Sequence, residues 1–344
     1  MTREAFGAEF LGADGFLNTP TYGLPPQFLV DALLEVVGRW QNGTMDVPSF
    51  DEHVRAGRAG YAALTGVPVD SVAMGGTVSS ALGLVAAAIP GGSRVVTLPG
   101  EFTSTTFPFA AQEGRGVTVT ELPADELVSA AADFDVIAAS LVQSANGAVL
   151  DIDALRTSVA GTEAMTVIDI TQALGWKHVD VGWVDVTAAA VYKWLLSPRG
   201  TVWMSLSDRV SRILTPHAAN WYAGEAPWQT IYGLPLRLAD SARRFDVSPT
   251  WFSALGAGLA LPWLASLDGE AVQAHCLGLA NRLRVELDLP QQDSAIASLP
   301  IEGAVDKLQR VGIRASIRAG AIRVGFHLYN NDNDLDRLLD ALRD

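Results

Sequence analysis

An aspartate, a glutamine and a lysine punctuate the segment Thr166 to Thr201, which reads TVIDITQALGWKHVDVGWVDVTAAAVYKWLLSPRGT. Asp169 ends one apolar run, Gln172 follows three residues later, and Lys193 sits just past a second apolar run in a small-residue context. Short apolar runs of this kind read as buried strands. Ligands bind outside the carboxyl ends of strands in an open α/β sheet, so the three side chains are expected to face one crevice. The chemistry that needs these groups is that of pyridoxal 5'-phosphate (PLP): an amine to take the aldehyde, and a carboxylate to keep the pyridine nitrogen protonated so that the ring can accept electrons. Lys193 must lose a proton to react, and burial beside a cationic ring lowers a lysine pKa. The other lysines, Lys177 in a polar loop and Lys307 in a helix-like run, lack that setting. A lone aspartate after a strand is more often a turn or cap residue. Asp169 is distinguished by the order of Gln172, Lys193 and the turn Pro198 to Gly200 that follows it.

Further motifs sit where strands should end. In MGGTVSSALGL, Gly75 and Gly76 follow a strand-like run, and Val78, Ser79 and Ser80 open a helix. Backbone N–H groups and a hydroxyl at a helix N-terminus suit an anion. In PGEFTST, Phe102 lies just past the next strand-like run, and AIRVGFHLYNNDNDLDRLLDAL sets Arg323 ahead of the pair Tyr329–Asn330 and a last helix.

Together these motifs resemble the class V aminotransferase family of fold-type I PLP enzymes, over nearly the whole chain. The resemblance implies that Lys193 carries the cofactor as a Schiff base and moves the Cα proton, with Asp169 and Gln172 in the cofactor site. It also implies that the Val78 amide and the Ser79 hydroxyl hold the phosphate and that Phe102 stacks on the ring. Tyr192 departs from the His, Gln or Arg of many members. A Tyr-Lys pair is instead similar to the kynureninase branch, where the tyrosine hydroxyl binds the phosphate. Arg323 is expected to clamp a substrate carboxylate, with Arg314 and Arg318 as competitors. LVQSANGAVLDI resembles the segment that approaches the cofactor's phenolic oxygen, and Gln143, Ser144 and Asn146 all qualify. Trp221, in NWYAGEAPW, stands where kynureninase-like enzymes send an aromatic into the neighbouring subunit's phosphate site; plain packing at a dimer interface is the competing reading. Ser248–Pro249 departs from the Gly-Thr phosphate contact of the desulfurases. A homodimer is implied.

Cys276, the one cysteine, lies in the helical pattern VQAHCLGLANRL and reads as a small buried hydrophobe. Cysteine desulfurases of this class carry their nucleophile on a loop near the C-terminal arginine, so persulfide chemistry is not expected. Transamination and C–S or C–C lysis lead the expectations. Epimerisation, or a PLP-fold binding or regulatory protein without catalysis, is the alternative.

Positioning these residues requires a scaffold. From Ser71 onward, short β-rich runs alternate with Ala/Leu-rich helical runs, the pattern of a parallel sheet covered by helices. The expected fold is the PLP-dependent transferase fold type I: a three-layer α/β/α large domain at 45–235, with a smaller α+β domain from 236–344 and the N-terminal segment 1–44. Pro216 to Pro235 reads as a long ordered loop. Helical spacing predicts helices over Phe107 to Gln112 and over Thr250 to Leu287, the latter broken at Leu267 to Gly269. A net charge of -14 with no basic stripe argues against nucleic acid, and a single cysteine excludes an intrachain disulfide or a cysteine-based metal cage. MTREAFGAEF lacks the apolar core of a signal peptide, and no run of ~20 apolar residues offers a membrane span, so a cytoplasmic protein acting on a small amino acid is expected.

Overall fold

Four runs, Val136–Ser140, Met165–Asp169, Val186–Ala190 and Val202–Leu206, are buried at every position, as strands covered on both faces must be. They form the centre of a sheet in the computed structural model, which describes residues 2–301 and 304–343. In chain order, a hairpin of β1 (Thr2–Ala5) and β2 (Ala8–Leu11) precedes α1 (Gln27–Gln41) and α2 (Phe50–Thr65). Then β3 (Val72–Gly75) leads into α3 (Val78–Ala88), β4 (Arg94–Thr97) into α4 (Thr103–Ala110), and β5 (Thr118–Glu121) into α5 (Ala124–Ala130). The buried runs follow as β6 (Val136–Ser140), α6 (Ile152–Val159), β7 (Met165–Asp169), β8 (Val186–Ala190) and β9 (Val202–Leu206), closed by α7 (Asp208–Ile213). Two long helices, α8 (Trp251–Ser266) and α9 (Gly269–Glu286), break at the expected place, where Asp268 caps α9. The remainder is β10 (Ile296–Leu299), α10 (Ala304–Arg310), β11 (Ser316–Arg318), β12 (Ala321–Gly325) and α11 (Asp332–Arg343).

The large sheet has the order β3-β9-β8-β7-β6-β4-β5. It is α/β as expected but not wholly parallel, because β9 runs antiparallel to both β8 and β3. Parallel neighbours need a crossover of a dozen or more residues, usually a helix. Val191 to Thr201 is too short for one and is occupied by the Lys193 loop, so the chain returns directly.

Helix α2 carries Gly57 and Gly60, which weaken it in isolation but let it approach α8 closely. A Cβ at Gly60 would lie 2.7 Å from Leu261 Cβ. From the same helix, Arg58 pairs with buried Asp246 at 2.5 Å and covers the Trp203 ring, while Asp246 accepts the Met74 amide at 2.7 Å. Breaking such a pair leaves a buried charge and costs about 3 to 5 kcal/mol. This cluster fixes the strand that feeds α3.

The small sheet has the order β10-β12-β11, and the N-terminal segment joins it. Leu17 donates to Arg314 O and Gly325 donates to Leu17 O, each at 2.9 Å. Tyr329 hydrogen-bonds Thr19, and Asn330 donates to Phe16 O at 2.9 Å, so the Tyr-Asn pair ties the first residues to the last helix. Pro216 to Pro235 is a loop with short turns at Trp221–Ala223 and Pro227–Gln229. Among the described residues, no helix is long and apolar enough to cross a membrane.

Candidate active site

Strands β7 and β8 are parallel, with Asp169 opposite Ala188, so Asp169 and the Lys193 turn leave the sheet at the same edge. Strands β3 and β4 point the same way and deliver the start of α3 and Phe102 to that edge. A cleft opens there, lined among others by Thr77, Val78, Ser79, Phe102, Asp169, Tyr192 and Lys193.

The Lys193 backbone is locked on two sides. Gly23 donates to Tyr192 O at 2.9 Å and packs so tightly that any side chain there would overlap Lys193 O. His327 bonds Trp194 O at 2.9 Å. The side chain is 6% exposed, and its amine lies 5.3 Å from the Phe102 ring centroid. Burial pulls the Lys193 pKa down to about 8, against the attraction of Asp169 and with the help of Arg323, Arg318 and Arg199. The neutral fraction near neutral pH is therefore far larger than that of an ordinary lysine, as a nucleophilic amine needs.

Asp169 accepts the Thr171 amide at 2.8 Å and the Thr105 hydroxyl at 3.4 Å. Its burial raises the carboxyl pKa, opposed by Thr171, Lys193 and Thr105 in that order. A cationic ring nitrogen beside it would restore the charged form.

Phe102 is the N-cap of α4, which starts at Thr103 rather than Phe107, so Pro108 sits inside this helix and not in its first turn. The ring is 44% exposed, so a face is available to a flat ligand. Its backbone is fixed by Glu101, which accepts from Phe102 N, Ser140 N and Ser140 Oγ, each at 2.7 Å. Burial raises the Glu101 pKa, offset by those bonds.

At the start of α3, Thr77 and Ser80 form a reciprocal cap. The Val78 and Ser79 amides, at the helix N-terminus, have no hydrogen-bond partner among the described residues, and the Ser79 hydroxyl meets only Thr77 Oγ1 at 3.1 Å. Buried Thr201 Oγ1, on the same cleft, also lacks a partner. An amine of depressed pKa, a carboxylate, an aromatic face and unpaired donors at a helix N-terminus are the donor set PLP requires, so the residues fit it.

Gln172 is placed differently from its companions. It is buried beside the cleft, donates to Pro20 O and Ser144 Oγ, each at 3.0 Å, and accepts the Trp194 indole N–H at 2.8 Å. Sequence spacing brings it to the right strand end, but partners distant in the chain decide where its amide points.

Arg323 on β12 is 1% exposed, whereas Arg314 and Arg318 are exposed. It donates to the Ser144 carbonyl and hydroxyl and, at 2.9 Å, to Thr21 Oγ1. Its Nε is buried without a partner, and among the described residues no carboxylate pairs with it. Burial lowers its pKa to about 10. Of Gln143, Ser144 and Asn146, only Ser144 meets Arg323 and Gln172; Gln143 donates to Pro99 O, and Asn146 caps a turn at Ala148.

Trp221 lies outside this cleft, packed on Tyr222 and Trp228. Cys276 is buried in α9, and desolvation pushes its thiol pKa up. No cluster of potential metal ligands occurs among the described residues.

Residues 50–298 match the family model of the class V aminotransferases, and the chain belongs to that family. It is similar to the uncharacterized aminotransferase YcbU of Bacillus subtilis (strain 168), at 24% identity over 314 residues, covering 85% of this chain and 83% of the relative. It is also similar to a probable hercynylcysteine sulfoxide lyase of Mycobacterium tuberculosis (strain CDC 1551 / Oshkosh), at 27% identity, covering 83% and 78%. In fold it is similar to the cystine C-S lyase C-DES, with a TM-score of 0.85 at 18% identity over 97% of this chain and 98% of that one. A cysteine desulfurase from Thermococcus onnurineus NA1 gives a TM-score of 0.82 at 18% identity, covering 95% and 93%.

Proposed function

We propose that this protein is a PLP-dependent enzyme that acts at the Cα or Cβ of an amino acid, as a transaminase or a C–S or C–C lyase, through Lys193. The observation that carries this reading is the buried Lys193 amine of lowered pKa, set in one cleft with Asp169 and the Phe102 ring. When bound, the cofactor supplies an electron sink that makes bonds to Cα labile. Asp169 holds charge beside the ring nitrogen, Phe102 covers a face, and Val78, Ser79 and Tyr192 take the phosphate. Lys193 would hold or return the Cα proton at its Nζ. Arg323 orients the substrate through its α-carboxylate, a role supported by its burial without an acidic partner. Cys276 is too enclosed to receive sulfur, which supports lysis or transfer over persulfide formation.

A homodimer belongs to this reading. Tyr232 and Leu234, 88% and 90% exposed on the loop that carries Trp221, offer an apolar surface to a second copy.

The test is to load the protein with PLP and add L-amino acids, S-substituted cysteines and plain amines, following cofactor absorbance and products. Amino acids are expected to perturb the spectrum and plain amines are not. Ammonia with a keto acid and a released thiol marks C–S lysis, release of a shortened amino acid marks C–C lysis, and amino transfer to an added keto acid marks transamination. Equal responses to amines and amino acids would contradict the Arg323 role, and no turnover across the panel would favour a binding protein.

A further inference from the structure

Arg199 is one of the cations whose field lowers the Lys193 pKa. It follows Pro198 in the return from Lys193 to β9, and its guanidinium carbon lies 5.3 Å from the Tyr192 ring centroid. It lines the same cleft as Thr77, Val78, Ser79 and Lys193. It is an exposed residue, and among the described residues no carboxylate pairs with it, so its charge is open to a ligand anion at the cleft.

An independent observation sits two residues on. Thr201 is 2% exposed, its Oγ1 has no hydrogen-bond partner, and it lines this cleft. A buried hydroxyl left unpaired costs about 1 to 3 kcal/mol, so it calls for a ligand. Gly200 between them has a φ of 135°, which a residue with a side chain rarely adopts, and so sets both neighbours on the cleft wall.

Resting on the PLP reading of the site, we propose that Arg199 and Thr201 complete the binding site of the cofactor's phosphate monoester. Arg199 is the charged fork and Thr201 a hydroxyl donor, beside the unpaired amides of α3. A planar guanidinium matches a dianionic phosphate, and the helix N-terminus adds donors of the same polarity. On the same reading a substrate carboxylate is assigned elsewhere, to Arg323, which meets Ser144.

The experiment compares cofactor-free wild type, Arg199→Gln, Arg199→Lys and Thr201→Val in binding PLP, pyridoxal and inorganic phosphate. Arg199→Gln should weaken PLP binding by roughly tenfold to a hundredfold and Thr201→Val by roughly fivefold, while pyridoxal, which lacks the phosphate, binds all four alike. Arg199→Lys should recover part of the loss. Inorganic phosphate should raise the Tm of wild type and not that of Arg199→Gln. PLP and phosphate binding unchanged in Arg199→Gln would overturn the proposal. So would an equal loss of pyridoxal, which marks a structural role, or unchanged PLP affinity with a raised KM for acidic substrates. Phosphate protecting wild type while PLP loads none of the proteins would overturn the cofactor reading itself and leave only an anion site.

Discussion

Gln172 and Arg323 both donate to the hydroxyl oxygen of Ser144, each at 3.0 Å. One belongs to the turn after β7 and the other to β12, so a single oxygen joins the cofactor edge of the large sheet to the expected carboxylate clamp of the small one. Arg323 also reaches Thr21 and Gln172 reaches Pro20, which draws the N-terminal segment into the same junction.

Ser144→Ala should cost about 1 to 3 kcal/mol of stability, because it leaves donors of Gln172 and Arg323 unpaired in a buried setting. KM for an amino acid should rise while KM for a carboxylate-free amine is unaffected. Denaturant unfolding together with the KM comparison checks both; unchanged stability would show that water takes the place of the hydroxyl.

Arg323→Lys should lower kcat/KM for amino acids by roughly tenfold to a hundredfold, since an ammonium cannot reproduce the fork. Steady-state kinetics on wild type and variant measure it. A variant that responds like wild type would place the clamp on another residue.

Cofactor-free protein should gain stability as pH rises from about 8 to 10.5, on account of Lys193. Its pKa is about 8 when folded and 10.5 when not, so across that window the unfolded chain binds more protons. The stabilisation is fully present above the unfolded value and is lost as pH falls through the folded one. At roughly 1.36 kcal/mol per pH unit it amounts to about 3 kcal/mol. Urea unfolding of wild type and Lys193→Met across that range should show the slope in wild type alone; parallel curves would mean that the amine is not desolvated.

Cys276→Ala should keep wild-type turnover and lose about 1 kcal/mol of stability, the cost of emptying a small buried volume. Loss of activity with the fold intact would reinstate a sulfur-carrying cysteine.

Much of the site could be read from the sequence because its members stand at strand ends, where short-range pattern fixes position. Asp169, Lys193, Phe102 and Ser79 all meet in one cleft for that reason. What could not be read depends on partners far along the chain. The amide of Gln172 is turned by Pro20, Ser144 and Trp194, and Glu101 anchors Phe102 through Ser140 on β6. Likewise α2 hides behind two glycines that are costly for an isolated helix and become useful only against α8. The direction of β9 followed from loop length, a signal present in the sequence but outweighed by the α/β alternation around it.

The central claim is that Lys193 is the residue that carries the cofactor. Its most direct test is to incubate the protein with PLP, reduce with borohydride and map the labelled peptide. The account predicts label on Lys193 alone and none fixed to Lys193→Ala. Label on Lys177 or Lys307, or cofactor still fixed to the variant, would contradict it.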